Sequence, residues 1–250
     1  MSRRAVIVAA GVGRRLTPHT ADRPKCMVEV GGRAMLDWQL AALRAAGVED
    51  FVVVRGHGAD AVARPRLRYA TNADYARNNI LGSLMSAESE LAGGALVAYS
   101  DILYDSEVPR SLLESDADIA LAVDRDWRGV YVDREGHPED EAELVRTLGD
   151  RVVEAGKGIP LTVAFGEFIG MLRLSAAGAR TLCAVYREVL ARDGLDMPFQ
   201  RAKSLRTAYL TDMFQELAGR GVTVTAVPIR GRWMEIDVPG DLARARATWR

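Results

Sequence analysis

A surplus of either charge is missing from this sequence: 33 Lys and Arg face 34 Asp and Glu in 250 residues, a formal net charge of −1. Proteins that hold phosphodiester backbones need excess Lys and Arg to displace counterions, so no nucleic acid is expected as a partner. Cysteine is scarce. Cys26 and Cys183 are too few for a disulfide framework and lack metal-site spacing, which suits a cytoplasmic protein, although one bridge between them stays open. No run of about 18 apolar residues occurs, so no membrane span is expected. The opening MSRRAVIVAAGVGRR imitates a secretion signal, but its apolar stretch is short, β-branched, broken by Gly11 and followed by two arginines; it reads as a first strand. Internal repeats and low-complexity segments are absent as well. The three histidines, His19, His57 and His137, have no metal-ligand spacing and read as loop residues.

What remains is an ordinary globular composition, 48% hydrophobic and 27% charged, in a chain long enough for a sizeable core. Short β-rich apolar runs alternate with amphipathic stretches, the pattern of βαβ units on a largely parallel sheet. Strands are expected at residues 5–10, 51–55, 67–71, 95–100, 119–123, 168–174 and 222–227. Helices are expected at 34–46, 82–91 (with Ser83 at its start), 175–191, 212–218 and 239–249. The first helix carries Met35, Leu36, Leu40 and Leu43 on one face and stops at Gly47. Residues 124–158 are polar and turn-rich and are expected to form an insertion covering a site. Residues 1–250 are expected to form a single domain of two halves, 1–123 and 124–250.

The strongest local signal is AAGVGRRLTPHTADRPK, residues 9–25, directly after the first strand. Gly11 and Gly13 permit a tight turn and close backbone approach to an anion, while Arg14, Arg15 and Lys25 add positive charge suited to a polyphosphate. The segment is no P-loop, because Gly-Lys-Ser/Thr is missing. It is no dinucleotide fingerprint either, because Leu16 stands where the last Gly belongs and no helix is expected before about residue 34.

Gly11-x-Gly13-x-Arg15-Leu16, then Pro18, then Pro24-Lys25, resembles the GxGxRLxPxT…PK signature of the nucleotidyltransferases that join an NTP to a small phosphorylated molecule. Val30-Gly31-Gly32 and Met35-Leu36 stand where that family begins its next helix. The resemblance implies a Rossmann-like three-layer α/β fold with a mostly parallel mixed sheet, a nucleotide-binding half at 1–123, an acceptor-binding and metal-completing half at 124–250, and catalytic roles for Arg15 and Lys25. Ala10, Gly11, Gly13 and Arg14, with Asn79 and Ser83, would then bind the nucleotide.

Asp101 ends a buried strand, the end at which open α/β sheets bind ligands, and could hold Mg²⁺ against phosphate oxygens. Asp237 lies between the last strand and the terminal helix, where the family has its second metal-binding Asp; it could instead cap that helix. Glu235 and Asp241 read as structural. Tandem Asn78-Asn79 with Ser83-Leu84 resembles the NN-x-x-S-L segment of the choline-phosphate and phosphonate cytidylyltransferases. That resemblance implies CTP and an acceptor such as 2-aminoethylphosphonate, 2-hydroxyethylphosphonate or phosphocholine. A homodimer is left open. Tyr131, Glu167 and Trp233 could surround a cationic headgroup, and Lys157 the acceptor's phosphonate. A sugar-1-phosphate nucleotidylyltransferase and a non-catalytic nucleotide-binding regulatory subunit are the competing expectations.

Overall fold

β-branched and small apolar residues make β1 (Arg4–Ala9) a strand buried on both faces. Val6 and Val8 point into one core, and Ala5, Ile7 and Ala9 into the other. The computed structural model describes residues 4–132 and 134–249.

After β1 the chain makes a 3-10 turn at Arg14–Leu16, another at Lys25–Met27, and a small hairpin, β2 (Glu29–Val30) with β3 (Arg33–Ala34). Then follow α1 (Met35–Ala45), β4 (Asp50–Arg55), β5 (Arg68–Thr71), α2 (Ile80–Met85), α3 (Glu88–Leu91) and β6 (Ala95–Tyr99). Next come β7 (Ile102–Tyr104), α4 (Glu107–Leu113), β8 (Ile119–Asp124), α5 (Arg128–Tyr131), β9 (Leu144–Leu148), β10 (Arg151–Gly156) and β11 (Gly166–Leu174). The chain closes with α6 (Ala176–Asp193), α7 (Leu210–Gly219), β12 (Thr225–Pro228), β13 (Trp233–Glu235) and α8 (Pro239–Thr248).

Nine strands form one sheet in the order β5-β4-β1-β6-β11-β8-β12-β10-β9. Pairing is parallel from β5 to β6 and between β8 and β12; β11 runs antiparallel to both its neighbours, so the sheet is mixed. Leu36, Leu40 and Leu43 of α1 pack with α4 on one face of the sheet, and α2, α3, α6 and α7 cover the other. Met35, expected on the same stripe, instead joins a third cluster with Leu16, Ile236, Leu242 and Trp249. Cys26 and Cys183 are both free and lie in the two opposite cores, so no bridge joins them. Among the described residues no helix is long and apolar enough to cross a membrane.

Two expectations are corrected. The helix expected at 82–91 is two short ones, broken at Ser86 and Ala87, and Ser83 lies inside α2, whose N-cap position is Asn79. Only part of 124–158 covers the site: residues 144–156 form the β9–β10 hairpin and extend the sheet. Its signal was present as two apolar runs around Gly149-Asp150, a two-residue loop in which Gly149 has φ 62° and Arg151 pairs with Leu148.

Candidate active site

Gly13 shapes the loop after β1. Its φ of 65° is in the left-handed region, and a Cβ there would stand 3.2 Å from the Lys25 Cβ, so glycine lets the lysine stem pass close to the backbone. Lys25 is thereby carried inward to the end of the sheet.

Asp101 follows β6 and leads into β7. The β7–β13 ribbon pairs Ile102 with Glu235, and the Ile236 N–H donates to the Asp101 carbonyl at 2.8 Å. That register sets Asp237 beside Asp101. Lys25 Nζ donates to Asp101 Oδ2 at 3.0 Å and to Asp237 Oδ1 at 2.7 Å, closing contacts across 76 and 212 residues of sequence. Arg15 contacts the other oxygen of Asp237 and donates to Glu141 Oε2 at 2.8 Å.

These contacts govern the protonation states. Burial lowers the affinity of Lys25 for its proton, but Asp101, Asp237 and Glu235 outweigh it and raise the pKa. Burial likewise disfavours the Asp237 carboxylate, yet His137, Lys25 and Arg15 hold it well below the ordinary range. Asp101 Oδ1 is buried and has no hydrogen-bond partner among the described residues.

All fourteen residues singled out in the sequence line one cleft of about 370 Å³. Ala10, Gly11, Gly13, Arg14, Arg15 and Lys25 form the wall after β1. Asn79 and Ser83 come from α2 and its cap; Asn79 Nδ2 donates to the Thr207 carbonyl at 3.2 Å, and Ser83 Oγ accepts from Asn72 Nδ2 at 2.9 Å. At the other wall Tyr131 donates to Glu167 Oε1 at 2.5 Å, while Trp233 Nε1 donates to Asp124 Oδ2 at 2.8 Å. Lys157 lies 3.9 Å from Glu141 and over the ring of Tyr209. Burial pushes the Glu167 carboxyl up to about 8 against the opposing Tyr131 hydrogen bond. Its Oε2 is buried without a hydrogen-bond partner among the described residues.

Sequence reasoning missed several cleft residues. His137, read as a loop residue, is buried with Nε2 3.4 Å from both Glu235 and Asp237; these three could together face a metal ion. Glu235, read as structural, also lines the cleft and accepts from Arg134 at 2.9 Å. Asp241 is structural as expected: it receives Arg134 and the N–H groups of Asp237 and Val238 at the start of α8. Glu143, pushed up to about 7 by burial, accepts from Thr211 at 2.7 Å. Asn72 fastens Asn78 and Ser83 from a buried position. Linear spacing held no signal for His137 or Glu143, because tertiary approach alone brings them to the cleft.

A polyphosphate-sized cation wall beside paired carboxylates, at the carboxyl ends of parallel strands, defines a nucleotide-handling α/β protein. A family model described as the MobA-like NTP transferase domain matches residues 5–157, and the chain belongs to that nucleotidyltransferase family. CTP:phosphoglutamine cytidylyltransferase of Campylobacter jejuni is 29% identical over 250 residues, 95% of this chain and 97% of that protein. The bifunctional IPC transferase and DIPP synthase of Rubrobacter xylanophilus is 38% identical over 246 residues, 95% of this chain but 50% of that relative. The fold is similar to that of the CTP:phosphocholine cytidylyltransferase from Streptococcus pneumoniae, with TM-score 0.72, 21% identity and 99% of both chains covered. It is also similar to the inositol-1-phosphate CTP transferase from T. maritima, with TM-score 0.74, 19% identity, and 99% and 97% covered.

Proposed function

We propose that this nucleotidyltransferase is a cytidylyltransferase that joins CMP from CTP to a small phosphonate or phosphorylated alcohol and releases pyrophosphate. One observation carries the reading: Arg15 and Lys25 meet Asp101 and Asp237 in the same cleft as Tyr131, Glu167 and Trp233. The cleft thus has a phosphate-charge end and an acid-and-aromatic end suited to a polar or cationic headgroup. The name of the Campylobacter jejuni relative, which pairs CTP with a phosphorylated acceptor, supports the choice of base.

The donors fit a hard divalent ion. Asp101 offers a buried carboxylate oxygen with no hydrogen-bond partner among the described residues, and Asp237 offers a second carboxylate, an all-oxygen set of the kind Mg²⁺ takes together with phosphate and water. Asp101 and Asp237 would hold Mg²⁺, which when bound supplies charge neutralisation to the phosphates.

The acceptor's phosphonate or phosphate oxygen is already an anion and attacks the α-phosphorus in line. A P–O bond forms there as the bond to the leaving pyrophosphate breaks. No side-chain nucleophile is needed. Arg15 and Lys25 orient the triphosphate and offset charge on the leaving group, while Ala10, Gly11, Gly13, Arg14, Asn79 and Ser83 seat the nucleotide. Lys157 stands ready for the acceptor's phosphonate, with Tyr131, Glu167 and Trp233 around its headgroup.

The test is pyrophosphate release from CTP, UTP, GTP, ATP and dTTP with Mg²⁺. Each is crossed with 2-aminoethylphosphonate, 2-hydroxyethylphosphonate, phosphocholine, phosphoglutamine and glucose-1-phosphate. Turnover with CTP and one phosphonate or phosphorylated alcohol is expected; turnover with phosphoglutamine alone would move the acceptor outside that class. Turnover with the sugar phosphate alone would replace the reading by a sugar-1-phosphate nucleotidylyltransferase.

A further inference from the structure

Asp101 and Asp237 are brought together by the β7–β13 ribbon, and two carboxylates in one largely buried place repel unless a cation joins them. That cation is Lys25. Its ammonium, on a side chain only 9% exposed, lies 3.0 Å from one carboxylate and 2.7 Å from the other, and Arg15 takes the second oxygen of Asp237. A divalent ion on these carboxylates must therefore compete with two resident cations. A triphosphate changes that balance, because its oxygens give the ammonium and guanidinium strong alternative acceptors.

We infer that Lys25, seconded by Arg15, is the built-in counter-ion of the Asp101–Asp237 pair, holding divalent metal off these carboxylates until a bound triphosphate draws the cations away. Metal and nucleotide then bind as coupled events, each raising the other's affinity by the same factor. The inference rests on the nucleotidyl-transfer reading for the identity of the triphosphate. The competition among Lys25, Arg15 and a metal ion rests on the ion pairs alone.

The experiment titrates Mn²⁺ alone into the nucleotide-free full chain and reads the free ion by electron paramagnetic resonance. Lys25→Met keeps the stem length and removes the charge. It is expected to bind Mn²⁺ about ten-fold more tightly than the unsubstituted protein, within the usual range of coupling between sites. Adding Asp237→Asn should abolish the gain. Arg15→Gln, at a half-exposed position, should give a smaller gain and decides the matter if Lys25→Met does not fold. Mn²⁺ should also raise the melting temperature of folded Lys25→Met more than that of the parent. Unchanged Mn²⁺ affinity in the folded variants, or a gain that survives Asp237→Asn, would overturn the inference. Failure to release pyrophosphate from any nucleotide would instead count against the nucleotidyl-transfer reading, with the Mn²⁺ gain still supporting the counter-ion.

Discussion

Asp101 and Asp237 share one ammonium, so their separate removal should have similar consequences. Asp101→Asn and Asp237→Asn are each expected to lower pyrophosphate release about 10²-fold or more, the usual loss when transition-state charge stabilisation is removed, while circular dichroism stays unchanged. Glu167 offers a different test. Its carboxyl is pushed up to about 8 from an ordinary 4.5, so between those values the folded protein keeps a proton that the unfolded chain has lost. Stability therefore falls as pH rises through that window, by about 1.4 kcal/mol per unit for this group, and levels off above it. Glu167→Gln should lose less melting temperature between pH 5 and pH 8.5 than the parent; an equal loss would contradict the burial account. Arg15, Lys25 and Asp101 were legible in the sequence because short motifs and a strand end carry them. His137 and Glu143 were not, since the cleft partners Asp237 and Thr211 lie far away along the chain.

Among the elements, β11 gives the cleft its floor by departing from a regular strand. Its register against β8 slips between Phe168 and Leu172, and Gly170 within the slip has φ 81°. A Cβ there would stand 2.6 Å from the Tyr99 ring. Gly170→Ala should destabilise the fold by about 1–3 kcal/mol, read by urea denaturation, because strain and ring displacement act together. The segment between α5 and β9 reaches the cleft through His137, Glu141 and Glu143, while its Arg134, whose side chain is 1% exposed, holds Asp241 and Glu235. Arg134→Met should cost about 3–5 kcal/mol, since two acids lose a buried partner. The covering role expected of 124–158 was thus legible for this segment. The β9–β10 hairpin was obscured because its apolar runs, Leu144-Val145 and Val152-Val153, are short and flanked by Arg146, Arg151 and Glu154.

In the whole molecule, one sheet draws strands from both parts of the sequence: β8 lies between β11 and β12. The parallel βαβ pattern of the first 123 residues was readable from apolar runs. The antiparallel course of β11 was not, because strand direction depends on pairing partners rather than on local composition. The near-neutral net charge and the concentration of cations at one cleft wall agree with a small anionic ligand. The most direct test of the account is pyrophosphate release with Mg²⁺ and CTP, in the presence of the phosphonate and phospho-alcohol acceptors. Turnover that depends on CTP, on one such acceptor and on Asp101 is the predicted result. Tight nucleotide binding without turnover on any acceptor, unaffected by Asp101→Asn, would contradict it and favour a regulatory nucleotide-binding protein.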